Sequence, residues 1–167
     1  MKDSLIKYVW FDFHHECRKM KYENLSKLIE QVKEKLHGFD YFMARLEHGM
    51  EHRDRINERT CKVQNKQIGT IRVNCMDCLD RTNVVQSVMS RNIAHRQLWK
   101  MELAGEPRGD PFEKFFGPLE EAFRESWTDN ADRISILYTG TPALKTDFTR
   151  TGKRTWKGAV NDGVNAV

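Results

Sequence analysis

The sequence contains a cysteine and an arginine six positions apart, Cys75 and Arg81. This spacing suits a loop curled around one phosphate group, with backbone N–H groups directed inward and the arginine closing the ring. A short apolar stretch, residues 68–74, precedes the loop, and helix-compatible sequence follows it. The sequence therefore predicts a strand–loop–helix unit in which the helix N-terminus lies behind a bound anion.

The residue types of this loop predict cysteine-based phosphatase chemistry. Arg81 and the helix N-terminus would favour the thiolate form of Cys75, which attacks phosphorus and forms a phosphocysteine intermediate that water later hydrolyses. Arg81 would hold two phosphate oxygens with its planar fork and stabilise charge in the transition state. Thr82 could donate a hydrogen bond to the thiolate, and it could also be the N-cap of the following helix.

Other interpretations of Cys75 and Cys78 remain open from the sequence. The pair could be half of a zinc site, although the chain contains no second Cys-x-x-Cys pair. It could be a thioredoxin-like redox pair, although an aspartate occupies its spacer. The cysteines could also be buried and inert, although their neighbours are polar. The residues available to complete a zinc site are Cys17, Cys61, His14 and His15.

Two aspartates within the loop, Asp77 and Asp80, place carboxylates where an anion and a thiolate must sit. Like charges within ~5 Å should raise the pKa of at least one carboxyl group. A protonated Asp77 could then be the general acid for the leaving oxygen, while Asp80 holds the loop through backbone N–H groups. In the alternative, both side chains brace the loop and the acid lies elsewhere.

Three strings of the chain resemble motifs of the Sac-domain phosphoinositide phosphatases, in the same order. They are Phe11–Cys17, Arg72–Gln86, which contains the cysteine loop, and Ala143–Thr155. The last string is more similar to the suppressor-of-actin branch, which is membrane-anchored and acts on monophosphorylated inositol lipids, than to the synaptojanin branch. The resemblance implies a phosphatase without metal or cofactor, acting on lipids such as phosphatidylinositol 4-phosphate at the cytosolic face of endoplasmic reticulum or Golgi membranes.

The resemblance also implies a portion of a domain and a set of substrate-binding residues. Sac domains are larger and carry a β-rich N-terminal subdomain, so residues 1–167 are expected to be the catalytic portion, without that subdomain and without a membrane anchor. The residues expected to bind the phosphate or the rest of the substrate are Met76, Cys78, Leu79, Asp80, Asn83, His14, Lys145, Arg150, Lys153 and Arg154.

The segment from Lys145 to Lys157 contains five basic residues against one acidic residue, Asp147. A charge run of this kind is usually a solvated face. Beside an acidic catalytic loop that must accept anionic lipid headgroups, it would instead supply positive charge, and it accompanies the catalytic motif in the family that the chain resembles. We therefore expect this basic segment to meet the Cys75–Arg81 loop in space.

The composition is that of a soluble single domain with a mild preference for anionic partners. The chain has 167 residues, 31% of them charged, and a formal net charge of +4. This charge is far from that of a dedicated nucleic-acid-binding protein, and no nucleic acid partner is expected. Four cysteines at irregular spacing favour a reducing compartment. No segment approaches the ~20 apolar residues that a transmembrane helix requires.

Hydrophobic periodicity predicts three helical regions. Leucine and isoleucine recur at helical spacing over residues 22–37, and a second helix is expected from about residue 82 to residue 100. Residues 104–111 hold glycines and prolines and indicate a linker. An aromatic stripe over residues 112–138 predicts the third helical region, with its aromatic side chains in the core.

Aromatic and β-branched residues predict strands over residues 5–13 and 68–74 and a short strand or turn over residues 39–46. Residues 47–66 are charged and irregular and indicate a surface loop. Together with the helices, this pattern predicts an α/β fold with a small, mostly parallel sheet flanked by helices.

Two other function classes remain open from the sequence. One is a protein-phosphotyrosine phosphatase that uses the same loop, and the other is a non-catalytic module that binds anionic membranes.

Two departures from the family pattern concern the surroundings of the site: Val73 stands where threonine is usual, and the run Ile136–Pro142 differs from the expected one.

Overall fold

The computed structural model describes residues 6–48 and 59–144 and shows a mixed arrangement of helices and strands in those ranges. A single α-helical turn and two 3₁₀ turns come first, and a longer helix follows. An antiparallel strand pair precedes the cysteine loop, and two long helices come after it. The bounds are α1 Phe13–Glu16, 3₁₀ turns Arg18–Met20 and Tyr22–Asn24, α2 Leu25–Gly38, β1 Met43–His48, β2 Arg59–Asn65, α3 Asp80–Lys100 and α4 Pro118–Thr139.

Helix α2 confirms the helix expected over residues 22–37, although it begins later, at Leu25. Its apolar residues recur at every third or fourth position, so they occupy one face, and its glutamate and lysine side chains occupy the other. That apolar face lies in the core. Its buried residues are Leu25, Leu28, Ile29, Val32 and Leu36.

Helix α3 begins at Asp80, so its first turn includes the last residues of the cysteine loop, and it confirms the helix expected up to residue 100. Its residues Val85, Val88 and Met89 pack with the apolar face of α2 in one buried cluster. Burial of each such side chain contributes roughly 1.5–3 kcal/mol. The contact between α2 and α3 therefore fixes the position of the first turn of α3, which carries the end of the cysteine loop.

The two segments nearest the candidate site also rest on this core. Phe11, just ahead of the first helical turn, and Phe13, its first residue, are partly buried against the α2–α3 cluster. Ile71 and Val73, just ahead of the cysteine loop, pack against the same cluster. These apolar contacts anchor both segments to the helix pair that positions the loop.

The sheet differs from the expected one. Within the described residues, the paired strands are β1 and β2, which run antiparallel with His48 opposite Arg59. Residues 6–12 and 68–74 form no strand, so the two strands predicted for these segments are wrong. The prediction of a mostly parallel sheet is also wrong for the described residues, where the paired strands are antiparallel. Aromatic and β-branched side chains suit a strand, but a strand also requires a ladder of hydrogen bonds to a neighbouring strand. Ile68 donates its N–H to the Phe39 carbonyl oxygen at 2.9 Å, but within the described residues this contact does not extend into a ladder. The loop expected over residues 47–66 is likewise wrong where β2 lies.

Helix α4 begins at Pro118, later than the start expected at residue 112. Proline disfavours helical dihedrals in the residue before it, and its own fixed φ suits the first position of a helix. The preceding Gly117 has a φ of 48° and a ψ of −133°, a conformation open mainly to glycine. At the other end, Gly140 adopts the left-handed conformation that commonly ends a helix.

A partly buried ion cluster joins the start of α4 to α3. Glu120 Oε2 pairs with Arg91 Nη1 at 2.6 Å, and Glu120 also accepts hydrogen bonds from Arg124 and from the backbone N–H of Phe115. Burial raises the pKa of Glu120, but the hydrogen bonds from the two arginines outweigh it and lower that pKa to about 2. The Arg91 guanidinium also lies 4.5 Å from the centre of the Phe123 ring. These contacts fix α4 against α3.

Candidate active site

The Cys75 thiol lies between two hydrogen-bonding side chains. Its Sγ donates to Asp77 Oδ1 at 3.0 Å, and Thr82 Oγ1 donates to Sγ at 3.4 Å. Thr82 is buried in the first turn of α3, whereas Cys75 is partly accessible. The sulfur of Cys75 thus donates one hydrogen bond to a carboxylate and accepts another from a hydroxyl group.

Thr82 is not the N-cap of the helix. Helix α3 begins at Asp80 with Leu79 in the N-cap position, so Thr82 is the third helical residue. The prediction that Thr82 is the N-cap of this helix is therefore wrong. The geometry instead provides the hydrogen bond to Cys75 on which the catalytic alternative depends.

Asp77 is the centre of the hydrogen bonds within the loop. Its Oδ1 accepts from the Cys75 thiol and from the Leu79 N–H at 3.1 Å, and its Oδ2 pairs with Arg81 Nη2 at 3.3 Å. The hydrogen bond from Cys75, followed by those contacts with Leu79 and Arg81, lowers the pKa of Asp77 below its ordinary value in spite of desolvation. The expectation that negative charge in the loop raises a carboxyl pKa is therefore wrong for Asp77.

The rest of the loop differs from the expected phosphate cradle. The Leu79 N–H and the Arg81 guanidinium both bind the Asp77 carboxylate. The Met76 side chain is 93% exposed, and Cys78, with a left-handed φ of 57°, donates its thiol to the Cys75 carbonyl oxygen at 3.4 Å. The Asp77 carboxylate thus accepts the hydrogen bonds from the Leu79 N–H and the Arg81 guanidinium that the sequence predicted for a phosphate group.

Asn83 contacts α4. Its Nδ2 donates to the Trp127 carbonyl oxygen at 3.0 Å, and its Oδ1 accepts from Asn130 Nδ2 at 2.9 Å. The side chain is buried, so Asn83 ties the first turn of α3 to α4. The expected contact between Asn83 and phosphate stays a prediction.

A cavity of about 400 Å³ adjoins the loop on the side of Arg81. The first helical turn and the 3₁₀ turn after it form one wall, and the first turn of α3 and Ala131 of α4 form another. His14, which the sequence predicted to bind substrate, lines this cavity together with Asp80 and Arg81. The structure thus brings the Phe11–Cys17 string and the cysteine loop together.

The turn α1 is held by its own N-cap and by α2. Asp12 Oδ1 accepts from the His15 N–H at 2.9 Å, and Glu16 Oε2 binds Lys27 Nζ of α2 at 2.6 Å. Asp12 therefore has a structural role as a cap. His14 lies between these two anchors, with its exposed side chain at the cavity wall.

Sequence reasoning missed two cations of the cavity wall, Arg18 and Lys19. They follow the Phe11–Cys17 string directly, and this proximity to His14 is the signal that could have found them. Their orientation depends on left-handed dihedrals at Lys19 and Met20, with φ of 55° and 61°, and no residue type in this segment predicts such a conformation.

The zinc alternative named Cys17 as one of the residues that could complete the site. Burial raises the pKa of the Cys17 thiol to about 11, which makes Cys17 an unreactive core residue. Among the residues that the structure describes, no three histidine, cysteine, aspartate or glutamate side chains converge on one point, so the zinc alternative finds no ligand set there. Within residues 6–48 and 59–144, every helix is too short or too polar to span a lipid bilayer.

The basic segment lies outside the described residues. This applies to Lys145, Arg150, Lys153 and Arg154, and their expected contact with the loop stays a prediction. Leu144, the last described residue before this segment, lines the cavity.

The whole chain is similar to known phosphoinositide phosphatases. It is 42% identical over 168 residues to phosphatidylinositol-3-phosphatase SAC1 of Saccharomyces cerevisiae, covering all of this chain and 25% of that protein. It is 42% identical to phosphatidylinositol-3-phosphatase SAC1-A of Danio rerio, covering all of this chain and 26% of that protein. It is 37% identical to phosphatidylinositide phosphatase SAC2 of Homo sapiens, covering 99% of this chain and 13% of that protein. No family model matches the chain. The chain thus spans about a quarter of the length of its SAC1 relatives.

Proposed function

Because this chain belongs to the Sac phosphoinositide phosphatase family, we propose that it hydrolyses phosphomonoesters of inositol lipid headgroups through a phosphocysteine intermediate. The observation that carries this proposal is the Cys75 thiol, which donates to Asp77 and accepts from Thr82. The names of the relatives support the substrate class, and the hydrogen bonds of the thiol support the reaction type.

In the first step, the phosphate of the substrate replaces the Asp77 carboxylate as the partner of Arg81. A dianion that accepts both arms of the guanidinium competes well with the single contact of 3.3 Å between Arg81 and Asp77. Asp77 then loses its cationic neighbour and gains an anionic one, and both changes favour its protonated form.

Proton transfer from Cys75 to Asp77 follows from their hydrogen bond. The thiol proton moves along the 3.0 Å contact to Asp77 Oδ1, which leaves a thiolate and a neutral carboxylic acid. The thiolate attacks phosphorus, a sulfur–phosphorus bond forms, and the bond from phosphorus to the inositol oxygen breaks. Asp77 gives its proton to that leaving oxygen and acts as the general acid.

The second step hydrolyses the phosphocysteine. Asp77, again a carboxylate, accepts a proton from the attacking water, the phosphorus–sulfur bond breaks, and inorganic phosphate is released. Thr82 Oγ1, 3.4 Å from Sγ, donates a hydrogen bond to the departing thiolate. Arg81 stabilises the charge on the transferring phosphoryl group in both steps.

The deciding assay measures phosphate release from short-chain phosphatidylinositol 3-phosphate and 4-phosphate by the full-length protein in EDTA. We expect turnover of at least one lipid and slower turnover of a phosphotyrosine peptide. Preference for the peptide would instead support a protein phosphatase, and salt-sensitive binding to anionic vesicles without turnover would support a binding module. The basic segment that starts at Lys145 would hold the protein on an anionic membrane during turnover.

Asp77→Asn tests the role of Asp77 as an acid. Asparagine can neither accept the thiol proton nor protonate the inositol oxygen, so we expect turnover of the lipid to fall about 10²- to 10⁴-fold. We expect a smaller loss with nitrophenyl phosphate, whose leaving group needs no acid, and partial recovery at alkaline pH, where solvent removes the thiol proton. Equal losses with both substrates at every pH would instead indicate that Asp77 only braces the loop.

A further inference from the structure

The cavity beside the cysteine loop continues from the expected position of the phosphate. Arg81 belongs both to the loop and to the cavity wall, whereas Cys75 and Asp77 lie outside that wall. A substrate whose phosphate is held between Cys75 and Arg81 would therefore extend past the guanidinium into the cavity. Its volume of about 400 Å³ lies within the usual range of small-ligand sites.

The wall of this cavity has an excess of positive charge. Arg18 and Lys19 line it from the 3₁₀ turn, and Arg81 lines it from α3. Asp80 contributes the single acidic side chain of the wall among the described residues, and His14 is a further nitrogen donor. A cavity with this charge attracts an anionic ligand.

Arg18 and Lys19 have no carboxylate partner among the residues that the structure describes. Within residues 6–48 and 59–144, no ion pair joins either side chain to an aspartate or glutamate. Glu16, the acidic residue nearest to them in sequence, binds Lys27 at 2.6 Å instead. The positive charge of both residues is therefore available to a ligand.

The backbone of this turn places three consecutive residues on one wall. In a regular helix or strand, successive side chains face different directions, but Arg18, Lys19 and Met20 all line the cavity. The left-handed φ values of Lys19 and Met20 allow this arrangement. Such values are uncommon for side chains of this kind and recur at sites with a ligand-binding role.

We infer that Lys19 and Arg18 bind a second anionic group of the substrate, distinct from the phosphate that is hydrolysed. This inference rests on the proposed function, and it assigns the two residues to substrate specificity. The chemistry of the second group is a phosphate, either the diester that links inositol to the lipid or another monoester on the ring. Lys19 thus raises affinity for the doubly anionic substrate and takes no part in bond breaking.

The test compares Lys19→Gln with the wild-type full-length protein on three substrates. A short-chain phosphatidylinositol 4-phosphate carries the diester, an inositol bisphosphate carries a second ring phosphate, and an inositol monophosphate carries neither. We expect the KM of at least one doubly anionic substrate to rise about tenfold with little change in kcat, which corresponds to the loss of one charge-assisted hydrogen bond. We expect the kinetics of the monophosphate to stay unchanged.

Two controls separate this effect from misfolding and from general charge. Lys21→Gln removes an equal charge two residues away on an exposed side chain that does not line the cavity, and we expect no change. Arg18→Gln should repeat the rise in KM of Lys19→Gln. Glutamine at position 19 keeps the same backbone requirement as lysine, and thermal unfolding should show equal melting temperatures.

The pattern of results identifies the second phosphate or overturns the inference. A rise in KM for the lipid assigns the diester, and a rise for the bisphosphate alone assigns the ring phosphate. Equal kinetics of Lys19→Gln and wild type on all three substrates would overturn it. If the wild type releases no phosphate from any of them or from phosphatidylinositol 3-phosphate, the proposed function fails. Equilibrium binding of the same lipid to both proteins then decides the inference, because weaker binding by Lys19→Gln supports it and equal binding overturns it.

Discussion

Cys75→Ser is expected to reduce phosphate release from inositol lipid by at least about 10³-fold, because a serine hydroxyl at this position is a far weaker nucleophile than a thiolate. The hydroxyl could still donate to Asp77 and accept from Thr82, so the hydrogen bonds that hold the loop should remain. The loss would therefore arise from the chemical step. The measurement is single-turnover phosphate release by the full-length variant at saturating lipid.

Cys61→Ser is the matched control for this prediction. Cys61 is an exposed thiol in β2, outside the loop, and its replacement should leave turnover unchanged. Full activity in the Cys75 variant would show that Cys75 is not the nucleophile. Equal losses in both variants would show that the assay responds to any change of a thiol.

Arg81→Lys is expected to lower kcat/KM by about 10³-fold. Lysine keeps the positive charge but lacks the planar fork that binds two phosphate oxygens at once. It would also weaken the contact with Asp77, whose Oδ2 lies 3.3 Å from Arg81 Nη2. Because Arg81 acts on the transition state as well as on the bound substrate, both kcat and KM should worsen.

Arg45→Lys provides the comparison, since Arg45 is an exposed arginine in β1 and should tolerate the change. If Arg81→Lys keeps its kcat and only its KM rises, the guanidinium binds the substrate but does not stabilise the transition state. Unchanged kinetics would contradict the proposed role of Arg81 altogether.

The helices could be predicted from the sequence because their signal is local. Buried positions of α2 such as Leu28 and Val32, and of α3 such as Val85 and Val88, recur at the spacing of one helix face. That periodicity exists in the chain before any tertiary contact forms. Periodicity does not set a helix boundary where a single residue decides it, as Pro118 does at the start of α4.

The sheet could not be predicted in the same way. Segments such as residues 68–74 contain strand-forming side chains, but pairing depends on which segments become neighbours in space. Among the described residues, the pairing occurs instead between β1 and β2, and the sequence of β2 is charged enough to resemble a surface loop. Side-chain type predicts that a segment can be a strand and does not identify its partner.

The candidate site was partly predictable. The resemblance of Phe11–Cys17 to the family predicted that His14 lies near the Cys75–Arg81 loop, and His14 and Arg81 line the same cavity. The binding of phosphate by that loop, which the spacing predicts, stays a prediction. The sequence did not show that Asp77 binds both the thiol and the guanidinium, because this depends on a turn within the loop. Nor did it identify Lys19, whose direction follows from a left-handed dihedral.

The most direct test of the central claim is the chemical trapping of the covalent intermediate on Cys75. The full-length protein is mixed with short-chain phosphatidylinositol monophosphate, stopped in acid within one turnover, and analysed by peptide mass spectrometry. We predict that the peptide containing Cys75 gains the mass of one phosphoryl group, and that Asp77→Asn lowers the amount formed. Rapid release of phosphate without any phosphorylated Cys75 peptide would contradict the proposed phosphocysteine intermediate.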